Sequence, residues 1–319
     1  MTSSAAASVS VRRALPGDAV MSTWHAADGW PLRRFDWPAA GTARGTILFQ
    51  GGRGDVIEKY LEAFAHWHDR GWTVVSFDWR GQGGSGRLSA DPHVGHADDF
   101  APWIADLAAV WATLNPARPR VLMGHSMGGY LVLRAIVERV VDPAAAVLVA
   151  PMLGLKSPLG ARAGEWLARA MRALGDPARA AWKGHEKPAA LRGRQALLTH
   201  DESRYDDEEY WYARDPALRL GPPSWAWLVE AFAGTRRLRA DARLGAVRVP
   251  VLILSADADG LVDPRAARDM AARLPDATLM RFGPESAHEI LRESDAVRDR
   301  ALAAIDGFLA GHAGGGAAA

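Results

Sequence analysis

A serine between glycines, a group of aspartates and a late histidine are the residues here whose types and order could support nucleophilic catalysis. Ser126 lies in Gly-His-Ser-Met-Gly, residues 124–128, between an apolar run at 121–123 and a helix-like stretch at 128–139. Small residues flank a serine in this way where a sharp strand-to-helix turn leaves no room for side chains. We predict that Ser126 is a nucleophile, with an ordinary glycine turn as the alternative.

A serine hydroxyl attacks only with the help of a base and a carboxylate, which in such strand-turn-helix sites follow the serine along the chain. Three aspartates, Asp257, Asp259 and Asp263, follow the apolar run at 251–254. Asp263 precedes Pro264 and is predicted to cap a helix. The sequence favours Asp259 as the acid and leaves Asp257 as the alternative.

The base is predicted to be His288. It lies in the loop that follows the last strand-like run, at 278–281, whereas His312 is close to the C-terminal tail. In this role His288 takes the proton of Ser126 and later passes it to the leaving group. Asp259 holds the tautomer of His288 and stabilises the imidazolium ion.

Attack on a carbonyl also requires two backbone N–H groups that stabilise the negative oxygen. One predicted donor is the N–H of Met127, directly after the nucleophile. The other is expected in the loop at 50–55, Gln-Gly-Gly-Arg-Gly-Asp, where glycines allow close approach of the backbone. The loop lacks the Lys-Ser/Thr pair of a phosphate-binding P-loop.

Short apolar runs alternate with helix-like stretches along most of the chain. The strand-like runs are 46–49, 72–77, 121–123, 146–149, 251–254 and 278–280, and helical spacing of apolar residues occurs at 57–70, 102–114, 128–139 and 265–274. This alternation predicts an α/β fold with a mostly parallel central sheet and helices on both faces. Residues 20–24 and 31–37 are predicted to form a leading antiparallel hairpin.

The alternation stops between residues 152 and 246, where the sequence is helical, rich in arginine and tryptophan, and interrupted by prolines. We predict a helical cap there, inserted between two parts of a core, 1–151 and 247–312, with a disordered tail at 313–319. Aromatic and apolar residues of the cap could line an acyl-chain groove or only pack the cap on the sheet: Trp166, Leu167, Met171, Trp182, Trp211, Trp225, Trp227 and Leu228.

Composition excludes several classes of function. The formal net charge is +1, which argues against nucleic-acid binding, and the absence of cysteine excludes disulfides and thiolate sites. The Gly-x-Gly-x-x-Gly at 81–86 opens no helix, so no dinucleotide site is expected. His93 and His96, with aspartates at 98 and 99, are expected to make loop hydrogen bonds and helix caps rather than hold a metal. We expect no cofactor.

The chain from about residue 30 to 310 resembles the α/β-hydrolase family of bacterial lysophospholipases and monoacylglycerol lipases. This family is also grouped with the serine aminopeptidase S33 hydrolases, and the likeness is strongest to its lysophospholipase L2 type. The glycine-flanked serine is common to many hydrolases, whereas 78–96 and 198–200 are more discriminating. The resemblance rests on residues 57–60, 78–88, 90–96, 124–129, 150–152, 198–200 and 287–291.

The resemblance implies roles for individual residues. It assigns nucleophile, acid and base to Ser126, Asp259 and His288. Asp259 is implied because the family's acid lies four residues before the aspartate that Asp263 matches. The implied oxyanion donors are Met127 and the backbone N–H of Arg53. The sequence departs from monoacylglycerol lipases at Gly51 and Gly52, where they carry His-Gly.

Together these features predict a serine hydrolase of the carboxylic esters of single-chain lipids, acting through an acyl-serine intermediate. The alternatives are a general carboxylesterase, an acyltransferase, a non-catalytic binding protein, and an aminopeptidase that uses the acidic run at 201–210. The first 20 residues lack the apolar core of a signal peptide, and no run approaches a membrane span. A cytoplasmic enzyme is expected, with peripheral contact with the inner membrane left open.

Overall fold

The computed structural model describes residues 10–116, 118–158, 160–182 and 188–313, and only the backbone at 188–192. Eight strands form one sheet: β1 (Val20–His25), β2 (Pro31–Trp37), β3 (Gly45–Gln50), β4 (Trp72–Phe77), β5 (Arg120–His125), β6 (Ala145–Val149), β7 (Val251–Ala256) and β8 (Ala277–Phe282). Their order is β1-β2-β4-β3-β5-β6-β7-β8. The β1–β2 and β2–β4 pairs are antiparallel and the others parallel, which confirms the predicted α/β class and hairpin.

The α-helices of the described chain lie between and after these strands. They are α1 (Leu61–His68), α2 (Ala101–Ala112), α3 (Met127–Val137), α4 (Ala161–Ala173), α5 (Pro188–Leu198), α6 (Glu202–Arg214), α7 (Trp225–Ala240), α8 (Pro264–Ala271) and α9 (Asp295–His312). The helical pattern predicted at 57–70 is a 3₁₀ turn, Ile57–Tyr60, followed by α1. Helix α9 was not among the predicted helices.

Two apolar cores cover the two faces of the sheet. Successive strand residues point to opposite faces, so Leu48 and Leu122 pack with α2, α3 and α8, whereas Ile47 and Val121 pack with α1 and α9. All six residues of β3 and all five of β6 are buried, as expected of strands covered on both sides. The loops at the carboxyl ends of the strands are therefore held by a rigid base.

Helices α4 to α7 lie between β6 and β7. Among the described residues, this part of the chain contributes no strand to the sheet. The predicted cap, 152–246, spans these four helices, and α4 packs against α7. The predicted tail lies outside the described residues from 314 onward. Within the described ranges, every helix is too short or too polar to cross a membrane.

Candidate active site

Ser126 occupies the sharp turn between β5 and α3. Its backbone has φ 53° and ψ −118°, in the left-handed region that a non-glycine residue rarely adopts. A Cβ on Gly124 would overlap the backbone of Gly128, and one on Gly128 would overlap the carbonyl oxygens of Gln50 and Gly51. The two glycines are therefore required for α3 to begin so close to β3, and this packing holds Ser126 in its strained conformation.

The structure brings Ser126, His288 and Asp259 into one chain of hydrogen bonds. Nε2 of His288 lies 2.8 Å from Oγ of Ser126, and Nδ1 lies 2.6 Å from Oδ2 of Asp259. The other carboxylate oxygen of Asp259 accepts hydrogen bonds from the backbone N–H groups of Leu261 (2.8 Å) and Val262 (3.0 Å). The carboxylate is thereby fixed, and it in turn fixes the imidazole beside the serine.

The charges of the site favour a basic imidazole beside an ionised carboxylate. Burial alone would raise the pKa of Asp259, but the facing His288 and the two backbone donors hold it below its ordinary value. Burial alone would lower the pKa of His288, but the charge and hydrogen bond of Asp259 raise it above its ordinary value. Asp259 therefore stabilises a proton on His288, as a general base at this position requires.

The other two aspartates of the predicted acidic group lie elsewhere. Asp257, the alternative acid, pairs with Arg281 at 2.6 Å and lies 3.6 Å from Arg268, on the surface. Asp263 accepts a hydrogen bond from the backbone N–H of Arg265, which confirms its predicted role as the N-cap of α8. Of the three, only Asp259 contacts His288.

The two residues predicted to supply the oxyanion donors, Met127 and Arg53, line the same cavity as Ser126. Met127 is the first residue of α3, where a backbone N–H has no acceptor within the helix. A Cβ on Gly52 would lie 2.9 Å from Cβ of Ser126, so the β3 loop passes directly over the nucleophile. The N–H of Gly52 donates to Asp55 at 2.6 Å, which leaves the N–H of Arg53 as the next donor along the loop.

A cavity of about 470 Å³ opens above Ser126 and is bordered by the cap. Five of the predicted groove residues line it: Leu167, Trp182, Trp225, Trp227 and Leu228. The other three, Trp166, Met171 and Trp211, do not line it. Trp166 is 72% exposed, and the indole N–H of Trp211 donates to the backbone of Arg12. The wall built by α4 and α7 is apolar, which suits a hydrocarbon chain.

The remaining sequence motifs have local structural roles. No helix follows the glycine-rich stretch at 81–86, and Asp78 accepts a hydrogen bond from Gly84 within it. His96 contacts the hydroxyl of Ser224 at 2.9 Å and the carboxylate of Asp98 at 3.3 Å. Over the described ranges, no three His, Cys, Asp or Glu side chains are grouped so as to hold a metal ion.

The acidic run at 201–210 does not supply carboxylates to the cavity. Asp207 pairs with Arg12 and Arg13, and Glu209 pairs with Arg219. Glu208 is fully buried and pairs with Lys59 and Arg194. An aminopeptidase needs an unpaired carboxylate at the site to bind an α-amino group, and this run presents none there in the described structure.

A buried ion-pair network beside the site was missed by the sequence analysis. Nζ of Lys59 lies 2.6 Å from Asp55, 2.7 Å from Glu289 and 3.1 Å from Glu208. Arg292 extends the network through Glu289 and Glu208. The spacings Asp55/Lys59 (i, i+4) and Glu289/Arg292 (i, i+3) were the available sequence signals. The network links the β3 loop, the cap and the loop that carries His288.

His125 joins this network to the nucleophile turn. Its Nδ1 lies 2.9 Å from a carboxylate oxygen of Asp55 and 2.7 Å from the hydroxyl of Tyr60. Its ring lies 4.8 Å from that of His288, centroid to centroid. The residue before Ser126 is therefore fixed by the same carboxylate that orders the β3 loop.

Comparison with known proteins agrees with this architecture. A protein similar over most of its length is lysophospholipase L2 of Escherichia coli K12, 32% identical over 279 residues, which cover 83% of this chain and 80% of the relative. The probable lysophospholipase L2 of Haemophilus influenzae is 28% identical over 272 residues, with 83% and 84% covered.

Solved structures share the fold at lower identity. A soluble variant of monoglyceride lipase from Saccharomyces cerevisiae, in complex with a substrate analog, superposes with a TM-score of 0.75 at 18% identity, over 95% of this chain and 97% of that one. The Paleococcus ferrophilus monoacylglycerol lipase gives 0.70 at 22% identity, over 88% and 99%. The model of the family described as serine aminopeptidase, S33, matches residues 41–295. The chain is therefore an enzyme with the α/β-hydrolase fold and belongs to the serine aminopeptidase S33 family.

Proposed function

We propose that this enzyme hydrolyses the carboxylic ester of a single-chain lipid, a lysophospholipid or a monoacylglycerol, through an acyl intermediate on Ser126. The observation that carries the proposal is the hydrogen-bonded chain from Ser126 through His288 to Asp259 at the base of an apolar cavity. The relatives named lysophospholipase L2 and probable lysophospholipase L2 support the substrate class.

In the first half-reaction, Oγ of Ser126 attacks the ester carbonyl while Nε2 of His288 accepts its proton. Asp259, hydrogen-bonded to Nδ1, stabilises the imidazolium that forms. The N–H groups of Met127 and Arg53 donate to the oxyanion of the tetrahedral intermediate. His288 then returns the proton to the departing glycerol oxygen, and the acyl group remains on the serine.

In the second half-reaction, water enters the site vacated by the alcohol. His288 removes a proton from this water, whose oxygen attacks the acyl carbonyl under the same two N–H donors. The tetrahedral intermediate collapses, the proton passes to Oγ of Ser126, and the fatty acid leaves. The apolar wall of α4 and α7 holds the hydrocarbon chain during both steps.

The experiment that tests the proposal is release of fatty acid from lysophosphatidylethanolamine and from monoacylglycerol by the purified enzyme and its Ser126→Ala variant. We expect release by the wild type and a loss of about 10⁴-fold or more in the variant. Release that persists in Ser126→Ala would contradict the role of the serine. Absence of release by the wild type, with turnover of short esters, would contradict the lipid substrate.

We also propose that the cap rests on the membrane surface from which a lipid substrate enters. Trp166 in the middle of α4 and Leu174 directly after it are 72% and 70% exposed, and Trp182 at the cavity is 51% exposed. Arg162, Arg169 and Arg172 accompany them on the same helix. Exposed tryptophan and leucine beside arginine are typical of interfacial helices on anionic bilayers. Location in the cytoplasm, at the inner membrane, stays a prediction.

A further inference from the structure

The ion-pair network beside the cavity, to which Arg194 adds a partly exposed cation, is balanced in formal charge. It joins three carboxylates to three cations: Asp55, Glu208 and Glu289 with Lys59, Arg194 and Arg292. Although burial opposes ionisation, the facing cations hold the pKa of each carboxyl below its ordinary value. The three carboxylates therefore face three cations, and the formal charges of these six groups cancel.

Arg53 is an additional cation next to this balanced set. Its guanidinium lies 5.6 Å from the ring centroid of Trp227 and donates to the carbonyl of Gly221 at 2.9 Å. Among the described residues, no carboxylate lies within ion-pair distance of it, and its other nitrogens have no acceptor. Burial, followed by repulsion from Arg194, lowers the pKa of Arg53 to about 10. A guanidinium in such surroundings is stabilised by an anion.

This unbalanced charge borders the proposed reaction centre. Arg53 lines the same cavity as Ser126 and follows Gly52, which lies against the nucleophile. Arg194 also lines the cavity, and its side chain is 45% exposed. The cavity thus has a cationic part at the β3 loop and an apolar part at α4 and α7. A lysophospholipid has the same division, with a phosphodiester and an acyl chain on opposite sides of the scissile ester.

We propose that Arg53, assisted by Arg194, binds the phosphate of a lysophospholipid head group while the acyl chain lies against α4 and α7. This inference rests on the proposed function and specifies its substrate. The guanidinium of Arg53 can donate to two phosphate oxygens from the nitrogens that lack protein acceptors. The same residue then contributes its backbone N–H to the oxyanion and its side chain to the leaving group.

The test compares two substrates with the same ten-carbon acyl chain, lysophosphatidylglycerol and monoacylglycerol, presented as dissolved monomers so that membrane binding plays no part. The readout is the kcat/KM for lysophosphatidylglycerol divided by the kcat/KM for monoacylglycerol. Both esters use the same oxyanion donors, so an effect of a substitution on these donors cancels in the ratio. We expect the wild type to prefer the phospholipid by about 10- to 100-fold. Arg53→Gln should bring the ratio close to one, and Arg53→Lys should restore part of the preference.

Two cationic residues provide matched comparisons. Lys156 also lines the cavity and donates to the backbone carbonyl of Asp259. Arg236 pairs with Glu165 on the surface. Lys156→Gln and Arg236→Gln should both keep the wild-type ratio. Loss of the preference in Lys156→Gln but not in Arg53→Gln would overturn the proposal.

The remaining outcomes separate this inference from the proposed function. Wild-type hydrolysis of both substrates at equal kcat/KM would overturn the phosphate subsite and leave the lipid esterase intact. Failure to hydrolyse either would overturn both. Inorganic phosphate is the free-anion probe. If phosphate inhibits monoacylglycerol hydrolysis by the wild type but not by Arg53→Gln, and the wild type does not prefer the phospholipid, Arg53 binds a free anion. That result would overturn the head-group assignment.

Discussion

The sheet and helix α4 of the cap differ in how much of their surface is buried. Every residue of β6 is buried, whereas of the thirteen residues of α4 only Ala168 is buried. The groups proposed for bond breaking are in the loops that follow three strands of this sheet: Ser126 after β5, Asp259 after β7 and His288 after β8. The apolar wall is built partly by α4, where fewer contacts oppose local motion, and partly by α7, which buries ten of its sixteen residues. The chemistry is thus assigned to the loops of the buried sheet, and one side of the acyl-chain wall to a helix that is mostly exposed.

Separate substitution of the two aspartates after β7 compares the buried partner of His288, Asp259, with a surface residue, Asp257. Asp259→Asn should lower kcat by about 10³- to 10⁴-fold, because the amide cannot hold the imidazole tautomer or stabilise its charge. Asp257→Asn should leave kcat within about twofold, since its carboxylate pairs with Arg281 on the surface. Steady-state ester hydrolysis measures both. A larger loss in Asp257→Asn would reassign the acid.

Adding one methyl group in each region compares their packing. Gly128→Ala would force a Cβ into the carbonyl oxygens of Gln50 and Gly51, and we expect a loss of about 3 kcal/mol in the free energy of unfolding. A Cβ on Gly193 in α5 meets nothing within 4 Å, so Gly193→Ala should stabilise by about 0.5–1 kcal/mol. Urea unfolding measures both, and equal effects would contradict the difference in packing.

Removing two exposed apolar side chains, Trp166 in α4 and Leu174 directly after it, tests whether the cap is the membrane-facing region. The Trp166→Ala/Leu174→Ala double variant should bind phosphatidylglycerol vesicles about tenfold more weakly, because two large side chains no longer enter the bilayer surface. Val20→Ala, at a 54% exposed position of β1 at the sheet edge, is the matched control. Vesicle co-sedimentation measures the difference. Weaker binding by Val20→Ala alone would move the contact away from the cap.

The smallest effect is a displacement of the pH profile. The neutral imidazole of His288 is the active form, so kcat/KM falls as the pH drops through the pKa of His288. Asp259 raises this pKa, and the charges of Glu289 and Asp55 raise it further. The acid limb should therefore lie above the ordinary histidine value in the wild type. In Asp259→Asn it should move to lower pH, as measured with a short soluble ester. A limb that does not move would contradict the coupling of His288 to Asp259.

Local patterns predicted much of this molecule. The apolar runs of β3 to β8 and the glycines around Ser126 are short-range signals, and the structure places strands and a tight turn there. The order Ser126, Asp259, His288 indicated which polar residues would meet, because each follows a strand whose carboxyl end lies at one edge of the sheet. Helix α9 also has apolar residues at helical spacing, Val297, Ala301 and Ile305, a local pattern sufficient to predict a helix.

The ion-pair network could not be predicted in the same way. Lys59 lies 230 residues from Glu289, and its contact with Glu208 joins the β3 loop to the cap. Nothing local distinguishes these charges from the many on the surface. Likewise, the exposure of Trp166 and the cavity position of Trp227 depend on how α4 and α7 pack. Long-range packing decides which charged and aromatic residues border the site.

The role of Ser126 as the nucleophile is tested most directly by reaction with an alkyl fluorophosphonate, whose phosphorus takes the place of the ester carbonyl. The labelled residue is then identified by peptide mapping with mass spectrometry. We expect one adduct, on the peptide that contains Ser126, with no adduct in Ser126→Ala and slower labelling in His288→Ala. An adduct on a different serine, or no labelling of an enzyme that still releases fatty acid, would contradict it.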